Sequence, residues 1–242
     1  MHDYNEIFSA RAKQYHLAMQ TCPKARDAEF LALLQDLPAT AIDVLDVPAG
    51  GGYLARYLHS PLHLTSCDFS QGFVETGMPL ANPQTLPYAA DTFDAVLSLT
   101  GLHHISFEDQ NAFLLESHRV LRSKGSFLVG EVLRGSPVDA FLNDFVHQNN
   151  SQGHSGVFFD EGFKVQLADA GFEQISMCVR SYMWQFANVA NMLFYCKNMF
   201  GIDKASNSEL DSGLREYLNY HQAPNGMVQL PWQLVLYHAQ KG

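Results

Sequence analysis

The first forty residues carry a helical pattern of apolar side chains. Apolar and aromatic residues recur at near-helical spacing between Tyr4 and Leu37, and Pro23 and Pro38 interrupt the pattern. The spaced positions are Ile7, Phe8, Ala12, Tyr15, Ala18 and Met19. We predict a helical N-terminal segment over residues 1–40. Tyr15 either packs within this layer or belongs to a lid whose aromatic face covers a bound cofactor.

From Ala41 the pattern changes to alternating strands and helices. Apolar runs predict strands at 41–47 and 62–67, and the segment at 52–59 between them reads as a helix. These elements form a βαβ unit. The predicted elements after Asp68 are a stub of helix at 70–76, a very short third strand, a fourth strand at 91–99, a helix from Ser106 to Gly125, a fifth strand at 126–133, a helix at 160–170 and a strand after Phe172.

The second half of the chain is less regular. A polar stretch at 147–156 lies between apolar segments and is a candidate loop over an active site. The segment at 182–200 is crowded with aromatic and Met side chains, and as a helix 189–200 has too much apolar surface for one stripe. It is either a cap over a substrate pocket or a contact in a homodimer. A last strand is predicted at 229–238.

Composition limits the function classes. The chain has 242 residues, 47% of them hydrophobic, which is enough to bury a full core in a single domain. Its formal charge of −10, with no cluster of Lys or Arg, argues against nucleic acid as a partner. The N-terminus lacks a signal-peptide pattern and no apolar run is long enough for a membrane span, so we expect a soluble cytoplasmic protein. The cysteines lack zinc spacing and fit a reducing compartment: Cys22, Cys67, Cys178 and Cys196.

A glycine turn at the end of the first strand is the strongest candidate site. Gly50, Gly51 and Gly52 stand between a strand and a helix, where glycine lets the backbone approach a ligand closely. Asp68 lies 16 residues beyond Gly52, near the spacing at which an acid accepts hydrogen bonds from a ribose diol. An adenosine-bearing ligand is implied; the alternative is a solvated turn aspartate.

Two cofactors fit this arrangement. The run from Gly50 to Ala55 satisfies the G-x-G-x-x-A dinucleotide pattern, so an NAD-dependent enzyme is one reading. Asp46, however, precedes the glycines, where a carboxylate would repel a pyrophosphate but attract an ammonium group. S-adenosylmethionine carries an ammonium group and no phosphate, and this favours it over NAD.

Several motifs, in order from Ala41 to Phe172, resemble those of the class I S-adenosylmethionine-dependent methyltransferases, in the small-molecule group that includes quinone-biosynthesis enzymes. The glycine turn is similar to D-x-G-x-G-x-G, with Pro48 at the place of the first glycine. Residues 81–88 are similar to G-D-A-x-x-L-P-F, with Asn82 in place of the acid that contacts adenine. Residues 91–97 resemble the S-F-D-x-V strand, and 116–125 resemble E-x-x-R-V-L-x-x-G-G, with Ser126 at the last glycine.

The resemblance implies an α/β, Rossmann-like, seven-stranded, mostly parallel sheet whose last strand is antiparallel, with a helical N-terminal lid and a small helical cap. Residues 41–134 would form the cofactor-binding core, 135–228 the substrate loop, helix, strand and cap, and 229–239 the last strand, all within one domain. The implied cofactor is S-adenosylmethionine. Its expected contacts are Tyr15, Asp46, Pro48, Ala49, Gly50, Gly52, Asp68, Phe69, Asn82 and Thr100.

The expected activity is methyl transfer to a small, partly apolar acceptor, with O- or C-methylation favoured. His104, at the end of the fourth strand, is the best-placed general base. His103, His154 and Trp184 are the expected substrate contacts. For each histidine, the alternative to the functional role is a structural one. We expect no metal, and the alternative functions are a catalytically silent S-adenosylmethionine-binding scaffold or regulator and an NAD-dependent oxidoreductase.

Overall fold

The computed structural model describes residues 4–74, 77–154 and 156–242. Its helices are α1 (Tyr4–Thr21), α2 (Asp27–Leu34), α3 (Phe107–Val120), α4 (Pro137–Ala140), α5 (His147–Asn149), α6 (Phe163–Asp169), α7 (Val189–Phe200) and α8 (Asn207–Leu218). Its strands are β1 (Asp43–Asp46), β2 (His63–Ser66), β3 (Phe93–Leu99), β4 (Leu121–Glu131), β5 (Phe172–Phe186), β6 (His221–Gln222) and β7 (Val228–Lys241). A π-helical turn, Phe141–Val146, joins α4 to α5.

The strands form one seven-stranded sheet. Its order is β2-β1-β3-β4-β7-β5, and β6 pairs with β7. The β2, β1, β3 and β4 strands are parallel, whereas β7 runs antiparallel to both β4 and β5. This confirms the predicted mostly parallel, Rossmann-like sheet with an antiparallel last strand.

Apolar side chains alternate across the central strand and build a core on each face of the sheet. On β3, Ala95 and Leu97 pack into one core with α2, α7 and α8, while Val96 packs into the other core with α3 and α6. Helix α1 contributes to both cores, because Phe8 and Met19 belong to different ones. Burial on both faces explains why the central strands read as apolar runs.

Caps fix the starts of three helices. The Ser106 hydroxyl accepts a hydrogen bond from the Asp109 amide at 3.1 Å and begins α3, as the capping pattern predicts. Asn188 caps α7 in the same way, and α8 begins with a full capping box between Ser206 and Glu209. Helix α7 has the bounds that its apolar pattern predicts.

Some predicted elements differ from the structure. The segment after the glycine turn forms only a 3-10 turn, Tyr53–Tyr57, instead of a helix at 52–59. The predicted third strand is reduced to an isolated bridge between Asp68 and Leu80, and β6 supplies the seventh strand. Residues 70–74 form turns and no helix; Thr76, at the end of the predicted stub, lies outside the described residues.

The boundary between α3 and β4 also differs from the predicted one. Helix α3 ends at Val120 rather than at Gly125, and β4 begins at once with Leu121, because Phe93 of β3 pairs with Leu121 across a bulge. In addition, the last strand extends beyond the predicted 229–238 at both ends, since it pairs with the long β5 over its full length. No helix of the described chain is both long and apolar enough to cross a bilayer.

Candidate active site

The glycine turn follows β1 and approaches its neighbours closely. Gly50, Gly51 and Gly52 have φ of +54°, +87° and +74°, in the left-handed region that favours glycine. Pro48, which stands where the resembled motif has glycine, packs against Gly101; a Cβ at Gly101 would lie 2.2 Å from Cγ of Pro48. Pro48 therefore fits here because Gly101, in the segment after β3, has no side chain.

A cavity opens beside this turn, and we call it the glycine-turn cavity. Six of the ten predicted cofactor residues line it: Tyr15, Asp46, Pro48, Ala49, Gly50 and Thr100. The carboxylate of Asp46 is buried and its Oδ2 has no hydrogen-bond partner among the described residues. Burial, and then the nearby Asp68, raise the pKa of Asp46 well above its usual range. An unpaired buried carboxylate fits a ligand that carries an ammonium group.

Asp68 lies behind the glycine turn rather than on the cavity wall. Its Oδ2 accepts hydrogen bonds from the Gly50 amide at 2.8 Å and the Tyr4 hydroxyl at 3.3 Å, and its Oδ1 accepts one from the Ser70 amide at 2.8 Å. Burial raises the pKa of Asp68 to about 6. In this arrangement the carboxylate already holds the turn in place, and it reaches a ligand only if the long contact with Tyr4 is exchanged.

The remaining predicted cofactor residues do not line the cavity. Phe69 is buried against Tyr4 and Phe113. Asn82 is exposed, and its side-chain oxygen accepts a hydrogen bond from the Gln84 amide at 2.8 Å, so this side chain stabilises a local turn. A Cβ at Gly52 would meet Met78 instead of the cavity.

A buried polar network forms the far wall of the cavity. Arg26 pairs with Glu29 and donates to the Tyr15 hydroxyl at 2.9 Å and to Thr100 Oγ1 at 3.2 Å. The other Glu29 oxygen accepts a hydrogen bond from the Trp184 indole at 2.8 Å. Thr100 has φ of +52°, a conformation that is unusual for a residue with a side chain. The network fixes the side chains at the carboxyl end of β3.

A second cavity lies on the other side of this network, and we call it the histidine cavity. It shares four lining residues with the glycine-turn cavity: Phe8, Tyr15, Arg26 and Thr100. All four predicted catalytic and substrate residues line it, namely His103, His104, His154 and Trp184. Trp184 stacks on Trp232 with a centroid separation of 4.1 Å, and both indoles line the cavity, so one side of it is aromatic.

The three histidines cluster at one end of this cavity. Nδ1 of His103 lies 2.7 Å from Glu131 Oε2, and Nδ1 of His154 lies 3.1 Å from Asn143 Oδ1. Burial, and then His103, lower the pKa of His104 and of His154 well below the usual value, so both rings are neutral near pH 7. Ring nitrogens of the three residues lie within 4.8 Å of one another, a spacing that a metal ion could bridge.

Several residues of the site carry no signal in the sequence. Arg11, Arg26 and Glu29 are charged residues within helical stretches, where a solvated surface role is the ordinary reading. Trp232 lies in a strand pattern and reads as core. Glu131, which orients His103, is the exception. It ends a strand of apolar residues, and an acid at the carboxyl end of a parallel strand indicates a possible site residue.

Residues 45–129 match a family described as "Methyltransferase domain". This region, about a third of the chain, is therefore similar to a methyltransferase domain. The matched region holds the glycine turn, Asp68, and the strand and histidines that follow. The match supports S-adenosylmethionine as the cofactor, and the buried Asp46 oxygen, which has no partner among the described residues, is the feature of the site that suits its ammonium group.

One curated relative of the methyltransferase domain is a demethylmenaquinone methyltransferase from Corynebacterium efficiens. It is 37% identical over 95 residues, which make up 36% of this chain and 40% of the relative. The chain therefore matches about two fifths of that relative's length. The match agrees with the resemblance to quinone-biosynthesis methyltransferases.

Solved structures of methyltransferases share the fold. A Thermotoga maritima protein, titled an S-adenosylmethionine-dependent methyltransferase and possible histamine N-methyltransferase, superposes with a TM-score of 0.63 at 18% identity, over 99% of this chain and 100% of that one. The phosphoethanolamine N-methyltransferase 2 of Haemonchus contortus, in complex with S-adenosylhomocysteine, superposes with a TM-score of 0.60 at 12% identity, over 100% of this chain and 60% of that one. At these identities the likeness concerns the fold.

Proposed function

We propose that the protein transfers a methyl group from S-adenosylmethionine to a small, partly apolar acceptor, with an oxygen or carbon as the receiving atom. The observation that carries the proposal is the shared wall of the two cavities. Phe8, Tyr15, Arg26 and Thr100 line both, so ligands in the two cavities would meet at these side chains. Methyl transfer requires that meeting, since donor and acceptor must be aligned for in-line displacement.

The residues of the glycine-turn cavity would hold the cofactor. Asp46 would bind the ammonium group, directly or through water, and the Gly50 backbone would allow close approach. S-adenosylmethionine, when bound, supplies an electrophilic methyl group on a sulfonium. The chain's own task is to exclude water and to orient the acceptor, and the buried network around Arg26 fixes the wall at which this happens.

His104 is the proposed general base. Its ring is neutral near pH 7 because burial lowers its pKa, so it can accept a proton from an acceptor hydroxyl or an acidic carbon. His103 lies beside it, with ring centroids 4.0 Å apart, and Glu131 fixes the orientation of His103. His103, His154 and Trp184 would contact the acceptor in the same cavity. The base is needed only for an acceptor that loses a proton.

Binding followed by turnover tests the proposal. We expect S-adenosylmethionine and S-adenosylhomocysteine to raise the melting temperature, and NADH to leave it unchanged. Label from the methyl group of S-adenosylmethionine should then appear in a product when the protein is incubated with a metabolite extract. A protein that binds the cofactor but labels no product would be the silent scaffold. No stabilisation by either cofactor form would defeat the proposal.

A further inference from the structure

Arg11 places an unpaired positive charge in the wall of the histidine cavity. Its side chain extends from α1 and lines the cavity, and Nη2 donates to the Met199 carbonyl oxygen at 2.9 Å. Its Nε is buried and has no hydrogen-bond partner in the part of the chain that the structure describes. None of the carboxylates described forms an ion pair with this guanidinium. Burial of the group lowers the pKa of Arg11 to about 10.

None of the described acids near Arg11 contacts its guanidinium directly. Asp203 is the acid whose charge acts on it, but Asp203 is exposed and accepts a hydrogen bond from the Ser151 amide at 2.8 Å. The Glu29 carboxylate forms an ion pair with Arg26 and accepts a hydrogen bond from the Trp184 indole. The carboxylate of Glu131 lies behind His103. It accepts hydrogen bonds from three backbone amides, including that of Leu102, and it contacts the His103 ring.

The fold makes specific room for this side chain. Gly201, with φ of +64°, ends α7, and a Cβ at this position would lie 2.6 Å from Nε of Arg11. A larger residue at 201 would push the guanidinium out of the wall. The charge is thus held in place by a glycine and a backbone carbonyl rather than by a counter-ion, although an unpaired buried ion is costly.

The rest of the cavity is neutral or apolar. His104 and His154 are neutral near pH 7, and Arg26 is balanced by Glu29. The aromatic side of the cavity is a set of nearly parallel rings, because Phe200 lies at 9° to Trp184 and at 13° to Trp232, and such rings favour a flat apolar partner. A ligand that complements this cavity has a flat apolar body and one negative charge. A metal ion held by the three histidines would instead add positive charge beside Arg11.

We propose that Arg11 binds a carboxylate of the methyl acceptor, so that the acceptor is an acid with a flat apolar body. The inference rests on the proposed function, because it takes the histidine cavity as the acceptor site. The guanidinium binds the carboxylate through charge-assisted hydrogen bonds, and the apolar body packs against the aromatic rings of Trp184, Phe200 and Trp232.

Calorimetric titration with a matched pair of probes tests this. Naphthalene-2-carboxylate and naphthalene-2-carboxamide have the same flat body and differ in charge. At pH 7.5, with the protein saturated with S-adenosylhomocysteine, we expect the carboxylate to bind at least about tenfold more tightly than the amide. R11M should lose this preference, R11K should keep part of it, and R134M, a substitution at an exposed arginine, should keep all of it.

Three results would overturn the inference: equal binding of the two probes, binding of neither, or an unchanged preference in R11M. The titration is repeated without S-adenosylhomocysteine, so that failure of cofactor binding, which would count against the proposed function, is seen separately. The melting temperature of unliganded R11M gives a second readout. An unpaired buried charge predicts that it equals or exceeds that of the unchanged protein, whereas a clear decrease would show a structural role for Arg11.

Discussion

Nδ1 of His103 lies 2.7 Å from Oε2 of Glu131, and both side chains are buried. The carboxylate also accepts hydrogen bonds from the backbone amides of Leu102, His103 and Val132, at 2.7, 3.4 and 3.2 Å. One acid at the end of β4 therefore orients both the His103 ring and the backbone that carries the histidine pair. The relationship ties the geometry of the site to the stability of the fold.

Replacing Glu131 by Gln should reduce both stability and turnover. The amide nitrogen of Gln cannot accept a hydrogen bond, so at least one buried donor loses its partner, at a cost of about 1–3 kcal/mol in the free energy of unfolding. We expect turnover to decrease as well, because His103 is no longer held in one orientation. Urea denaturation and the labelled-methyl assay measure the two effects. E161Q, at an exposed acid, is the control and should change neither.

Replacing His104 by Gln should lower turnover about 100-fold or more if His104 is the base. Burial lowers the pKa of His104 below the usual 6.5, so the neutral, proton-accepting form predominates above pH 6.5. Turnover should therefore be level across pH 7 to 8 and decrease only at lower pH. The comparison with H118Q, at a histidine outside both cavities, checks specificity. A His104→Ala enzyme with unchanged turnover across pH 6 to 9 would remove this residue from the mechanism.

Affinity for S-adenosylhomocysteine should fall below about pH 6. The pKa of Asp68 is about 6 because of burial, and protonation removes the charge that would accept hydrogen bonds from ribose hydroxyls. D68N should bind weakly at every pH and lack this step. Burial raises the pKa of Asp46 as well, so D68N isolates the part of the pH dependence that is due to Asp68. Calorimetry between pH 5 and 8 measures the affinity, with D91N, at an exposed acid, as the control.

The stability of the unliganded protein should respond to pH in the opposite sense to cofactor affinity. A carboxyl whose pKa is raised by folding stabilises the folded state below its unfolded pKa, and this contribution is lost as pH rises through about 6. D68N should flatten that part of the pH profile. Urea denaturation at pH 5 and pH 7 provides the comparison. Equal pH profiles for D68N and the unchanged protein would show that Asp68 does not titrate in this range.

Removal of metal ions should leave methyl transfer unchanged. The sequence predicts no metal, and the three clustered histidines are accounted for by the roles proposed above. Dialysis against EDTA, followed by the labelled-methyl assay, tests the expectation. If activity were lost and then restored by Zn²⁺, and if H154Q no longer responded to the ion, His103, His104 and His154 would instead form a metal site.

The sheet was predictable because burial on both faces leaves apolar runs that alternate with helices along the chain. The glycine turn and α7 were predictable for local reasons, namely glycine backbone freedom and a helical apolar pattern. The third strand was not, since the described residues between Asp68 and Leu86 make only isolated bridges. The β3-to-β4 boundary depends on a bulge opposite Phe93, which no local pattern reveals.

The site was predictable where residues follow strands and unpredictable where they come from helices. Asp46, Thr100 and the histidine pair stand at the carboxyl ends of strands, where ligands of open α/β sheets bind. Arg11 and Arg26 reach the cavities from the N-terminal helices and their connection, and only the packing of that segment on the sheet brings them there. Asp68 follows the second strand as predicted. The spacing of residues in the sequence does not predict its hydrogen bonds with the Gly50 amide and the Tyr4 hydroxyl.

Helix α1 has one consequence for the catalytic cycle. It supplies Tyr4, Phe8 and Tyr15 to the glycine-turn cavity and Phe8, Arg11 and Tyr15 to the histidine cavity, and it packs against α7. The entry and exit of both ligands are thereby coupled to a single element of 18 residues. We expect the rate at which spent cofactor leaves to depend on the packing between α1 and α7, so that substitutions at that helix pair alter turnover without touching either ligand.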